Sequence, residues 1–489
     1  WGHYHIMLGL LLWHETTDDR NTLKCASNIA DLMCSKFLPD GEAKRMVDTG
    51  SVEMNLAPVH SLAMLYSVLG DKRYLDLAIK IVEEFSATDL ENSDDDVAGN
   101  YLNVGLRNEP FYSSPKPRWE SLHPIMGLAE LYWITGNRDY RCAFENLWWS
   151  MLETDRHNNG GFTSDEGAQG NPYHQGAIET CCTIAWMAMS VEMLKLTADS
   201  IVADEIELSM LNSGLGLISQ SGRWVTYSTP MDGVRLAAHH HIVGHSREGT
   251  PELNCCSVNG PRGIGMISDW AIMQSSDGGV LLNYYGPSEF TVVLEEDVRV
   301  TFTQETHYPM DGKILLKASP SEAVEFSLML RIPYWSRRTN VTINEANVDG
   351  VQAGEYLVIN RCWDDGDIVK IDLDMSLHYW VGELECAGKV SAYRGPVLLT
   401  YDRRFNEMNP DNVPVLDASN LTEHLVSTDG YTIQPDILLE FTGEDGRKMY
   451  LCDFASAGEA GSPYMSWLQI NNVVDTGFSR SNPLRSSRL

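Results

Sequence analysis

The stretch Cys255-Cys256-Ser257-Val258-Asn259-Gly260-Pro261 sets two adjacent thiols beside the start of a helix. Asn259 reads as a cap for that helix and Pro261 as part of its first turn, with Ile264 to Met273 carrying it onward. The partial positive charge of a helix N-terminus favours thiolate over thiol, and thiolate is both the nucleophilic and the metal-binding form. Upstream, Glu179-Thr180-Cys181-Cys182 adds a carboxylate and two more thiols. Glu179, Cys181, Cys255 and Cys256 make a four-coordinate donor set whose softness favours zinc over magnesium or calcium. Adjacent cysteines can share one ion where the backbone is not helical, and a position ahead of the helix would provide that. The bland alternative is that these Cys-Cys pairs are small buried hydrophobes, and the residues alone leave both readings open. Cys182 is expected to face the helix core.

Other side chains with chemical potential lie in loops and at helix starts. Glu166 sits in the loop Gly160-Gly161-Phe162-Thr163-Ser164-Asp165-Glu166-Gly167, between helices, where catalytic groups concentrate. A solvated loop acid is the competing reading. His3, His60 and His123 each open an apolar helix and are candidates to hydrogen-bond a polyhydroxylated ligand; structural histidines would look the same. His239, His240, His241 and His245 precede the Cys pair and are expected to line a loop. Trp1, Trp119 and Tyr173 are candidate sugar-stacking aromatics, with core packing as the alternative.

These residues must be positioned by a repetitive helical region. Four times an apolar helix runs into a tight turn and a second amphipathic helix, at Thr17-Asp18-Asp19, Gly70-Asp71, Gly136-Asn137 and Thr197-Ala198-Asp199. The turns recur at intervals of 53, 66 and 62 residues, which predicts stacked helical hairpins and best suits an α/α toroid. After Ser275-Ser276-Asp277-Gly278-Gly279 the pattern changes to short β-type runs. Strands are expected over Val280–Tyr285, Asp297–Gln304, Lys313–Ala318, Glu325–Arg331, Asn340–Asn344, Tyr356–Ile359 and Asp367–Leu373. More follow over Lys389–Tyr393, Val397–Tyr401, Lys448–Cys452 and Tyr464–Ile470. The predicted organisation is a toroid over 1–275, a β-sandwich over 276–376, and a smaller β module over 377–489 with a frayed tail from Asp475.

Composition narrows the function classes. Lys plus Arg number 36 against 68 Asp plus Glu, a net charge of −32 over 489 residues, which argues against nucleic acid or anionic lipid as partner. Runs of about 18 apolar residues, the length a membrane span needs, are absent from the sequence. Ten cysteines in a chain this long do not read as a disulfide framework, and a reducing compartment or metal protection fits them better. The chain opens at Trp1 inside an apolar run and is read as a piece of something longer, so the compartment stays open with a leaning to the cytoplasm. Oligomeric state is open as well, a homodimer included.

Several further motifs give the chain a family resemblance along nearly its whole length. They are Thr306-His307-Tyr308-Pro309-Met310-Asp311-Gly312, Leu330-Arg331-Ile332-Pro333-Tyr334-Trp335, Arg361-Cys362-Trp363-Asp364-Asp365-Gly366-Asp367 and Tyr393-Arg394-Gly395-Pro396. With Glu179-Thr180-Cys181 and Cys255-Cys256, in that order and spacing, the chain resembles glycoside hydrolase family 127, the β-L-arabinofuranosidase family and its relatives. The resemblance implies an (α/α)6 barrel followed by β-sandwich modules. It implies a zinc held by Glu179, Cys181, Cys255 and Cys256, and a retaining mechanism with Cys255 as nucleophile and Glu166 as general acid/base. The expected substrate is a small oligosaccharide or a glycan-terminal sugar, attacked from its end. Two other classes remain at this point: a polysaccharide lyase, for which Arg262 beside the Cys pair speaks, and a non-catalytic carbohydrate-binding protein with a structural zinc.

Overall fold

The computed structural model describes residues 1–39, 44–50, 53–87, 99–163, 165–223, 225–235, 255–409, 412–459 and 461–474. It forms two compact units: Trp1–Arg156 with Phe162–Pro172, and His157–Gly161 with the chain from Tyr173 onward. The expected linings at His239, His240, His241 and His245 and the tail from Asp475 lie outside the described residues.

The helices of the hairpins appear where the periodicity places them, whereas the run expected to stay helical from Ile264 to Met273 breaks at Gly265 and ends in a strand at Ile272–Gln274. The first unit holds α1 (Gly2–Thr17), α2 (Arg20–Phe37), α3 (Glu53–Leu56), α4 (Pro58–Leu69), α5 (Lys72–Phe85), α6 (Tyr101–Leu106), α7 (Trp119–Thr135) and α8 (Arg138–Thr154). The second begins with α9 (Thr180–Thr197) and α10 (Ser200–Ser209), which continues as a π turn over Met210–Gly214. The pairs α1/α2, α4/α5, α7/α8 and α9/α10 are the four expected hairpins, and all share one turn. The first helix ends on a left-handed residue, Asp18, Gly70, Gly136 or Ala198, whose N–H returns to the carbonyl four residues back. The next residue, Asp19, Asp71, Asn137 or Asp199, caps the second helix by accepting a backbone N–H two residues on. Two adjacent residues thus stop one helix and start the next.

Packing between hairpins is close where side chains are absent. A Cβ on Gly127 of α7 would lie 2.9 Å from the His60 backbone nitrogen on α4, so only glycine lets these helices approach so near. No described helix is long and apolar enough to cross a membrane.

The second unit adds α11 (Cys255–Gly265), α12 (Ile267–Trp270) and three main sheets. One has six strands in the order Ser288–Val293, Arg299–Thr306, Lys313–Pro320, Asp367–Asp372, Asn340–Ile343 and Ala346–Asn347. A four-stranded sheet runs Glu355–Trp363, Val324–Ile332, Val280–Leu282, Ile272–Gln274. Both sheets feed one core: Val300, Phe302, Leu316 and Ala318 from the first meet Phe326, Leu328, Leu330 and Leu357 from the second. Along Arg299–Thr306 and Lys313–Pro320 buried and exposed positions alternate, as a sheet with one covered face requires. A third, eight-stranded sheet includes Val390–Arg394, Val397–Asp402, Leu438–Thr442 and Lys448–Asp453. The edge strand Ser288–Val293 is absent from the sequence expectations; its side chains are mostly exposed, so it lacks the apolar alternation that betrays a strand.

One buried ionic group ties α10 to the sheets. Arg331 gives Nη1 to Asp204 at 2.6 Å and Nη2 to Glu207 at 2.6 Å, and the Tyr308 hydroxyl donates to Glu207 at 2.7 Å. Burial of an arginine at this depth is tolerated because two carboxylates and the Asn283 carbonyl receive its protons.

Candidate functional site

The thiol cluster is built on two helices of the second unit. Glu179 occupies the extended position just before α9, so its side chain leaves the chain before the helical rise begins. That approach is pinned from both sides: Thr180 N–H donates to the Tyr227 carbonyl at 2.9 Å, and Thr229 N–H to that of Ile178 at 3.0 Å. Cys181 follows in the first turn of α9. Cys255 and Cys256 are helical residues of α11, which corrects the expectation that they precede the helix: Asn259 and Pro261 lie inside it. Contact with α9 explains the difference. Gly263 leaves no room for a Cβ against Ile184, and Gly260 sits tightly against Val225, so α11 is held in place by docking more than by its own sequence.

Ligand atoms of Glu179, Cys181, Cys255 and Cys256 all lie within 4.8 Å of one another. Cys181 Sγ is 3.6 Å from Cys256 Sγ, Cys256 Sγ is 3.9 Å from Cys255 Sγ, and Glu179 Oε1 is 4.0 Å from Cys256 Sγ. Zinc–sulfur bonds of about 2.3 Å give a tetrahedron with edges of about 3.8 Å, so the donor set has the spacing one such ion needs. A helical backbone thus does bring adjacent thiols to one point. Further groups hold the donors. Asn259 gives its amide to Cys181 Sγ at 3.1 Å, and the Cys182 thiol donates to the second Glu179 oxygen at 3.3 Å. Cys182 is buried as expected, but its thiol has this specific acceptor. Glu179, Cys181 and Cys256 are buried, whereas Cys255 is exposed. Hydrogen bonds from Cys181 and Cys256 pull the Cys255 thiol well below its ordinary range, while the Cys181 thiol is pushed up by its bond to Cys255.

In the first unit, Tyr4 joins two of the expected histidines. Its hydroxyl lies 3.0 Å from His60 Nδ1 and 2.7 Å from His123 Nδ1. Trp1, His5 and Trp119 surround the group, with the Trp1 ring 4.2 Å from His5 and the Trp119 ring 5.6 Å from His123. His3 is exposed; Tyr4 and His5 are the residues of α1 that join this cluster. Tyr173, in the second unit, is buried against Trp380 and Trp467, the core reading of that aromatic.

Glu166 is half-buried in a loop of the first unit, and its backbone is unusual. Asp165 and Glu166 both adopt left-handed φ, 55° and 66°, a conformation that costs a glutamate energy and is kept where surroundings impose it. Buried Asp155 imposes it in part, accepting the Gln169 and Gly170 N–H groups at 2.8 Å each. Ala168 N–H donates to the Pro117 carbonyl at 2.7 Å. Next to Pro117, Arg118 clamps Glu120 with Nε at 2.5 Å and Nη2 at 2.7 Å. The same guanidinium reaches Glu53 at 3.9 Å and Glu166 at 3.9 Å. Burial pushes Glu120 up to about 7, with Arg118 pulling the other way. Tyr4, Glu53, Arg118 and Glu120 escaped the sequence reading, and Asn259, expected as a helix cap, bonds Cys181 instead. Arg118-Trp119-Glu120, a charge pair astride the start of a helix that carries His123, was the one signal that could have found part of this set.

The comparisons with known proteins follow this layout. The family model for the β-L-arabinofuranosidase GH127 catalytic domain matches residues 1–269, and that for the GH127 middle domain matches residues 279–375. Among solved structures, a GH127 β-arabinofuranosidase superposes with a TM-score of 0.78 at 21% identity, covering 96% of this chain and 76% of that one. A GH127 β-L-arabinofuranosidase from Geobacillus stearothermophilus T6 gives 0.77 at 22% identity, over 96% of this chain and 80% of its own. A third, described as a glycoside hydrolase, gives 0.77 at 21%, over 96% and 83%. At such identities these structures establish the fold, helical hairpins first and sheets after. No curated protein matches the chain. Two family models matched in chain order, over more than half of the residues, settle the classification: the chain belongs to glycoside hydrolase family 127 and is a glycoside hydrolase.

Proposed function

We propose that the chain is an exo-acting, retaining glycosidase that removes a terminal β-L-arabinofuranosyl or closely related sugar. The observation that carries this reading is the donor set itself: three thiols and a carboxylate within 4.8 Å, of which Cys255 alone is exposed. Three buried donors fit a holding role, and the exposed one fits a group that meets substrate. Zinc, when bound by Glu179, Cys181, Cys255 and Cys256, would keep the thiols deprotonated and fix the direction of the Cys255 sulfur.

Cys255 Sγ then attacks the anomeric carbon. The carbon–sulfur bond forms as the glycosidic carbon–oxygen bond breaks, and Glu166 gives its proton to the departing oxygen. In the second step Glu166 takes a proton from water, the water oxygen attacks the same carbon, and the thiolate leaves. Two displacements return the original anomeric configuration. A half-buried, conformationally forced glutamate suits a group that must carry and then accept one proton. His60 and His123, oriented by the Tyr4 hydroxyl, are assigned to sugar hydroxyls, with His3 as a third candidate from α1. In this reading the hairpins belong to an (α/α)6 toroid over 1–275, the two sheets with a common core form a β-sandwich over 276–376, and 377–489 is a smaller β module.

The test uses Glu166→Gln with para-nitrophenyl β-L-arabinofuranoside, whose leaving group needs little protonation. The first step should survive and the second stall, so intact mass should show one added pentose and peptide mapping should place it on Cys255. An adduct on a carboxylate, or a product of inverted configuration, would refute the thiolate mechanism.

A further inference from the structure

The reaction as written leaves Arg118, Glu120 and Glu53 without a part. We propose that Arg118 is a positioning residue for Glu166, and that Glu120, by occupying the same guanidinium, sets how much positive charge Glu166 meets. The inference rests on the reading of Glu166 as acid/base and assigns it a partner.

Geometry carries the case. Arg118 Nη2 donates to Glu120 Oε1 at 2.7 Å and stands 3.9 Å from Glu166 Oε2. One nitrogen thus faces both carboxylates, bonded to the first and within Coulomb range of the second. A second link, Ala168 N–H to the Pro117 carbonyl, ties the Glu166 loop to the same short segment. Among the described residues, the ionisable groups that face the guanidinium include Glu53 from α3, Tyr101 from α6, Glu120 from α7 and Glu166 from its loop. Glu53 and Glu120 are nearly fully buried, so the interactions are weakly screened.

An acid/base must hold a proton in one step and lack it in the next. An uncompensated guanidinium opposite Glu166 would keep it ionised and poor at the first step. Clamped two-fold by Glu120, Arg118 offers only the remainder of its charge. Burial leaves Glu120 at about 7, so the compensation itself changes across neutral pH.

The experiment compares kcat/KM against pH for two arabinofuranosides, one with an alkyl leaving group that needs a proton and one with 2,4-dinitrophenol, which does not. Glu120→Gln exposes Glu166 to the full guanidinium, so the alkaline limb for the alkyl substrate should move down by about one pH unit or more. Arg118→Gln removes the cation and leaves Glu53 and Glu120 facing Glu166, so the limb should move up. Rates on the dinitrophenyl substrate, which do not depend on the acid, should show neither shift. Opposite shifts support the proposal, because a loss of structure moves both variants the same way. A limb unmoved in both, or moved in one direction in both, overturns it. Glu166→Gln separates the premises: if that variant keeps the alkaline limb, Glu166 is not the acid and both readings fall. A limb lost in Glu166→Gln but unmoved in the other two removes only the role of Arg118. Should Arg118→Gln prove insoluble, Arg118→Lys keeps the charge, should restore the limb of the parent, and leaves Glu120→Gln as the deciding variant.

Discussion

Replacing Arg331 by methionine should be among the most damaging single changes available in the second unit. Its guanidinium is fully buried and holds Asp204 and Glu207 at 2.6 Å each, with those side chains at most 1% exposed. Methionine fills most of the volume but removes the cation that these two buried carboxylates share. Removing one partner of a buried pair costs about 3–5 kcal/mol; with two carboxylates losing this cation at once, the loss should reach the top of that range, about 5 kcal/mol. That is comparable to the whole stability of many domains. Protons can substitute for the missing cation, so the deficit should shrink at about pH 5 and grow toward about pH 8. Adding Asp204→Asn and Glu207→Gln to the methionine variant should recover a large part of the loss, since amides cost less to bury uncompensated than charges. Urea unfolding followed by tryptophan fluorescence reads this directly, Trp335 and Trp363 both being buried in the core that these strands share. A deficit under about 1 kcal/mol at high pH, or one that grows on acidification, would refute the view that Arg331 neutralises this group.

Two further outcomes follow from the groups that hold the side chains of the proposed site. Asn259→Ala and Cys182→Ala each remove a hydrogen bond to a proposed metal ligand, and each should weaken zinc retention about 10–100-fold in a chelator competition while leaving the fold intact; unchanged retention in both would show that neither orients its ligand. Asp155→Ala leaves the Gln169 and Gly170 N–H groups without their acceptor and should destabilise the first unit by about 2–3 kcal/mol, with hydrogen exchange at those two amides rising first.

What the sequence disclosed was what local chemistry dictates. The four hairpins were readable because two adjacent residues write each turn, and the donor set because Cys-Cys pairs are rare and their partners soft. What it hid depends on residues that meet only after folding. Tyr4 lies 56 residues from His60 and 119 from His123, and nothing in a tyrosine near a helix start announces that it will bond both. Glu53 and Glu120 look like ordinary surface acids until α3 and α7 bury them beside Arg118. Pro261 misled for a plain reason: proline favours the first turn of a helix, and docking of α11 on α9 overrode that preference. Two motifs behind the family resemblance acquire a physical meaning here. Tyr308 and Arg331, each in one of them, converge on Glu207, so those motifs mark a structural anchor of α10.

The shared turn also bears on how such an enzyme can change over time. One extra residue between Gly70 and Asp71, or at any equivalent point, would rotate the following helix by about 100° and turn its apolar stripe away from its neighbours. Those ends of the hairpins are therefore frozen in length. Their opposite ends are joined by long connections, and these, with the first turns they feed, carry Glu53, Arg118, Glu120, Glu166 and Glu179. Lengthening a long connection costs little free energy. Descent with insertion and deletion can thus remodel these ends while the hairpins keep their register, so the connections can change without reinventing the scaffold.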